Sequence, residues 1–194
     1  MRKYNIKKIA GMCGILVPLI IFICIWLSIS GSPWFSWTHH ALSDLGIEGL
    51  PAFIFNNGLI FGGIFAFIFS IGLSKILSYK LGAYILAISS IALIGAGLFP
   101  KTVFFLHYIT STIFFVALTL ALFIIGYTLK ETKFEYKLGI AAIIFAIVAC
   151  SSPIFLNILK GIAIPEAIVC FPAFIWCMAF GIKLILNEEF EKIL

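Results

Sequence analysis

Six long apolar runs separated by short polar connections organise this chain. They fall at about 9–30, 52–73, 81–99, 103–127, 138–157 and 164–186, and each has the roughly 20 residues that a helix needs to cross a bilayer core. Backbone N–H and C=O groups must pair internally in hydrocarbon, so continuous apolar runs of this length predict helices. The expected architecture is an all-α, polytopic membrane protein, a six-transmembrane-helix bundle forming a single domain over residues 1–194. The first run follows the basic start MRKYNIKK, as the apolar core of a secretory signal does, but it is longer than the ~7–15 residues of such a core. It is expected to be a retained first span, interrupted by Pro18, which removes one helical hydrogen bond and favours a kink.

Composition agrees with this pattern. Hydrophobic residues make up 63% and charged residues 11% of the chain, and the mean hydropathy is +1.20, against roughly a quarter charged in soluble domains. The net charge of +5 does not point to nucleic acid, because the basic residues flank apolar spans. There they orient helices and meet anionic headgroups. In a six-helix arrangement the amino terminus, the Lys75/Lys80 turn, the Lys130–Lys137 turn with Lys133, and the end carrying Lys183 and Lys192 hold all but two of the Lys and Arg residues. Lys101 and Lys160 lie opposite. Basic residues are retained on the cytoplasmic side, so both termini are expected inside and the 34–51 connection outside, in a multi-pass protein of the cell membrane. The five cysteines lie within apolar runs without CxxC or zinc spacing, as small buried residues do. Gly58/Gly62 and Ala92/Ala96 are small pairs four apart, the spacing that lets membrane helices approach closely.

This orientation turns scattered polar residues into a layer. The outer connection holds His39, His40, Ser43, Asp44 and Glu48. Asn56 and Asn57 lie in the second helix, His107 and Ser111 near the outer end of the fourth, Ser151, Ser152 and Asn157 near that of the fifth, and Glu166 at the start of the sixth. Polar groups at one depth in an apolar bundle should face one another or a wet pocket. The inner half is expected to be almost wholly apolar. His107, Thr110 and Ser111 share a helix face by spacing. Asn56 and Asn57 are about 100° apart, so one of them is expected to join helices instead of lining a pocket.

The natural catalytic couple is His107 as general base with Asp44 orienting it, and Ser43, Ser111 or a water as the attacking group. His39, His40, Asn56, Asn57, Ser111 and Glu166 are candidates for substrate binding. Each has a structural alternative: His107 as a tie between helices, Asp44 as a helix cap, Glu166 as a first-turn acid, and the outer serines and Asn157 as links between helices. No GxSxG elbow supports the serines as nucleophiles.

The run WTHHALSDLG, then FNNGLIFGG, then GLFP with His107 in HYITSTIFF, resembles the prokaryotic membrane proteins grouped as domain of unknown function 998, over nearly the whole chain. More distantly, Ser43, Asp44, Asn56 and His107 resemble positions in the six-helix Frag, DRAM and Sfk proteins, one branch of which is linked to remodelling of GPI-anchor lipids. The chain departs from that group around residues 49–52.

These features together lead to an outward-facing polar site that binds or modifies lipids at the outer leaflet, with membrane lipids as partners and no cofactor. The competing reading is a non-enzymatic structural or partner-binding membrane protein. A metal-dependent membrane hydrolase using His39 or His40, Asp44, His107 and Glu166 ranks lower, because no zinc motif is present. A transporter ranks lower too, because the inner half lacks a matching polar path. The sequence names neither the substrate nor a homo-oligomeric state.

Overall fold

The structure, a computed structural model, describes residues 2–130 and 135–186, with the side chains of residues 2–5, 156 and 157 excepted. Lys133 and Lys192 and the side chain of Asn157 lie outside the described residues. Among those described there are six α helices and no strand: α1 Arg2–Ser30, α2 Gly49–Ser74, α3 Leu81–Leu98, α4 Phe104–Lys130, α5 Tyr136–Ser151 and α6 Ala163–Leu186. All six are long and apolar enough to cross a membrane, α5 together with the tightened turn that extends it.

Several boundaries differ from the expected ones: α1 begins as early as Arg2 and α4 runs on to Lys130, and two others differ for plain local reasons. The second helix starts at Gly49, three residues early, because Pro51 suits a first turn that needs no N–H partner. Gly49 itself has φ +72, which lets the chain turn sharply into the helix. The fifth α helix stops at Ser151, where Pro153 cannot donate to the carbonyl of Ala149, and residues 152–157 tighten into a 3-10 helix.

The helices form a closed ring: each packs on its neighbour in the chain, and α6 returns to pack on α1. Glycine governs the approach of nearly every pair. A Cβ at Gly58 would lie 2.4 Å from that of Cys24, and one at Gly62 equally close to Ile21, so the expected small pair on α2 is where α1 lies. Gly126 and Gly139 serve α4 and α5 in the same way. Phe69, Trp176 and Phe180 are fully buried and pack on one another between α2 and α6. Trp176 and Phe180 stack at 5.2 Å, and the Trp176 indole N–H donates to the Leu138 carbonyl.

At one end of the ring, here called the loop end, the 31–48 connection folds over the helices and forms a 3-10 helix, Leu42–Gly46. It is tied to the α5–α6 connection by two backbone hydrogen bonds, Gly161 N–H to Thr38 O and Ala163 N–H to His40 O, both 2.9 Å.

The opposite half is less apolar than expected. Buried Ser70, Ser74 and Ser90 return their hydroxyls to carbonyls of their own helices, and Ser89 donates to Phe114 O across to α4. Glu135, buried just ahead of α5, pairs with Lys183 of α6 at 3.0 Å. Burial pushes the Glu135 carboxyl above its ordinary value, and Lys183 only partly offsets this.

Candidate functional site

Under the loop-end connection lies a cavity of about 60 Å³, large enough for a few waters or one small polar group. Its walls are mainly apolar and come from α1, α2, α3, α4 and α6. Four polar side chains line it: Ser43 of the 3-10 helix, His107 and Ser111 of α4, and Glu166 of α6. Residues more than a hundred positions apart meet here because the ring closes.

The geometry of His107 follows from the start of α4. The chain leaves α3 at Phe99 and turns through Pro100, so the Phe99 carbonyl is free of helical pairing and lies 2.8 Å from His107 Nδ1. A carbonyl only accepts, so in the neutral ring Nδ1 carries the proton and Nε2 holds the lone pair. Nε2 lies 3.3 Å from Ser111 Oγ, one turn further on, and the serine hydroxyl donates to it. Thr110, expected on the same face, turns its hydroxyl onto the Leu106 carbonyl, while its methyl fits against Gly95.

The carboxylate expected to orient His107 is engaged elsewhere. Asp44 accepts the Ala41 N–H at 2.8 Å and forms an ion pair with Lys101. The cause is local: a residue in the first turn of a 3-10 helix reaches back to an unpaired N–H just before it, and Lys101 arrives in the α3–α4 connection alongside. Glu166 performs the parallel task from α6, accepting the Leu42 N–H at 2.6 Å. Two acids therefore satisfy the start of the loop helix. Asp44 and Lys101 also lie within Coulombic reach of Glu166.

The remaining candidates stand apart from the cavity lining. Asn56 donates to the Gly46 carbonyl at 3.0 Å and pins the loop helix to α2, whereas Asn57 bonds back to Phe53 of its own helix. His40 accepts the Ser36 N–H through Nδ1 at 3.0 Å and packs among Trp34 and Phe35. Exposed His39 meets Thr38 and Ser36. Ser151 bonds to its own helix at Val148. Among the described residues no three His, Cys, Asp or Glu side chains gather as a metal site would require.

Lys101 and the Phe99 carbonyl are the participants that sequence reasoning missed. Lys101 carried a signal, being one of only two basic residues on the loop-end side. The carbonyl carried none, since any residue has one.

No curated protein and no solved structure matches the chain. A relation to the Frag, DRAM and Sfk proteins is not shown. A family model does match, over residues 15–183, from within α1 to near the end of α6, and includes every residue of the cavity. The chain belongs to the family described as Protein of unknown function (DUF998).

Proposed function

We propose that this membrane protein binds a lipid at its loop end and uses His107 as the proton acceptor in modifying it. The observation that carries the reading is the imidazole: the Phe99 carbonyl holds Nδ1–H, and the Nε2 lone pair is presented to Ser111 inside an otherwise apolar cavity. A base fixed in one tautomer, close to a hydroxyl and shielded by apolar walls, has the form that general-base catalysis needs. Ser111 is the first candidate to lose a proton to it. Ser43, which also lines the cavity, is the second. With the loop end outward, as the distribution of basic residues favours, the lipid would come from the outer leaflet of the cell membrane.

A second, structural reading has its own support. Asp44, Glu166 and Asn56 all end on the backbone of the loop helix, so three of the candidate residues hold that helix in place. Transport finds less support, because Phe69, Trp176 and Phe180 form a fully buried, mutually packed aromatic cluster between helices.

The deciding experiment measures lipid composition and turnover in cells carrying only His107→Gln or only Ser111→Ala, alongside melting of each purified variant. The proposal expects both variants to melt close to the parent while lipid turnover falls to that of cells lacking the protein. Unchanged turnover in the His107→Gln cells would sink it.

A further inference from the structure

The seam between α1 and α6 is closed at one end and open at the other. Where α1 carries Gly11 and Gly14, a Cβ at either position would come within 2.7 and 2.9 Å of the Gly181 and Cys177 carbonyl oxygens, so the backbones nearly touch. Towards the loop end α1 carries Phe22, Trp26 and Ile29, and α6 carries Phe171 and Ile175. These bulky side chains hold the helices apart. The result is a groove of about 410 Å³ with an almost wholly apolar lining, bounded at the loop end by Trp37. From Phe22 to Ile29 it runs roughly 10 Å along α1, at ~1.5 Å per residue.

Ile25 and Phe171 line both this groove and the cavity that holds His107. Phe171 is the partition, held edge-on by Phe22 at 4.9 Å and by Trp37 at 6.4 Å. The residue thus stands between the bundle's flank and the polar chamber.

We infer that the groove seats one acyl chain of a membrane lipid, whose polar end passes Phe171 to reach Ser111 and His107. The inference rests on the lipid-acting reading of the cavity and adds its substrate class and its route. Both walls belong to membrane-spanning helices, so the groove is bathed by hydrocarbon and its occupant must be apolar. A helix from another chain is ~10 Å across, about the groove's whole length, and could lie only over its mouth. A single hydrocarbon chain is narrow enough to enter. The shared wall selects further, for a molecule that is apolar along its length and polar at the end beside Phe171.

The test reconstitutes the full chain in nanodiscs of phosphatidylethanolamine and phosphatidylglycerol that contain a trace of phosphatidylglycerol with a photoactivatable diazirine on one acyl chain. Adducts are mapped by mass spectrometry. Trp26, Ile29 and Ile175 should be labelled severalfold above Val116 and Leu120 of α4, which are about as exposed as Trp26 and Ile175 and more exposed than Ile29. Ile175→Trp, at a position 53% exposed, should fill the groove and return Ile29 labelling to the α4 level. Equal labelling of both faces in the parent chain would mean ordinary surrounding lipid and would overturn the inference, as would undiminished labelling in folded Ile175→Trp. The two proposals fail separately. Selective groove labelling with lipid turnover indifferent to His107→Gln removes the chemistry and keeps the acyl site, whereas even labelling with His107-dependent turnover removes the acyl site alone.

Discussion

Asp44 shows how one side chain serves several partners at once. Its carboxylate accepts the Ala41 N–H and pairs with Lys101, whose side chain is 38% exposed. Asp44→Ala should therefore cost about 1–2 kcal/mol through the lost cap, whereas Lys101→Met should stay within about 1 kcal/mol because partly exposed pairs are weak. Thermal unfolding of the two detergent-solubilised variants measures the order, and equal losses would mean that the ion pair matters more than the cap. Glu135 gives a pH test. The folded protein holds its proton more tightly than an unfolded chain with an ordinary carboxyl value of 4.5, so stability should fall as pH rises above that value and through the raised one. Glu135→Gln should flatten this decline in melting temperature. At this scale the sequence was a guide to only some of the residues that gather and a poor one to how they pair. His107, Ser111, Ser43 and Glu166 do line one cavity. Hydrogen-bond partners, however, depend on which atoms a turn leaves free, and the Phe99 carbonyl became available only because Pro100 ends the helical pairing there.

The elements were legible for a simple reason: hydrocarbon-length apolar runs have almost no alternative to helix, and each of the six expected spans falls on one of the six α helices among the described residues. What pattern could not supply was the loop's shape, because its fold is decided by contacts with α2 and α6 that no local periodicity encodes. Gly161 illustrates this. A Cβ there would sit 2.3 Å from the His40 backbone nitrogen, so the α5–α6 connection meets the 38–40 segment backbone to backbone. Gly161→Ala should force the two segments apart, seen as faster hydrogen exchange at the Gly161 and Ala163 amides while exchange within α1 to α4 stays unchanged. Unaltered exchange at those two amides would show that the loop accommodates the methyl without separating. The glycines between helices were more readable, since Gly58 and Gly62 share a face by spacing and that face does meet α1.

For the molecule as a whole, the distribution of Lys and Arg leads to a prediction about sidedness. In a chain whose exposed Cys150 is replaced by Ala, Glu48→Cys should react with a membrane-impermeant maleimide added to intact cells, and Tyr79→Cys should react only after the membrane is opened. The reverse pattern would invert the bundle and put the cavity at the inner leaflet. The closed ring also has a consequence for the order in which the protein is made. Each of α2 to α5 packs on the span just before it, so these helices can assemble pair by pair as they leave the ribosome. The sixth closes the circle onto the first, and it alone brings Glu166 to the Leu42 N–H and Phe171 to its place beside Phe22. A nascent chain halted before residue 163 would already carry His107 and Ser111 in the membrane, yet with one wall of their chamber missing. Emergence of α6 is thus the moment at which His107 becomes enclosed, and the four polar side chains of the cavity stay unassembled until then.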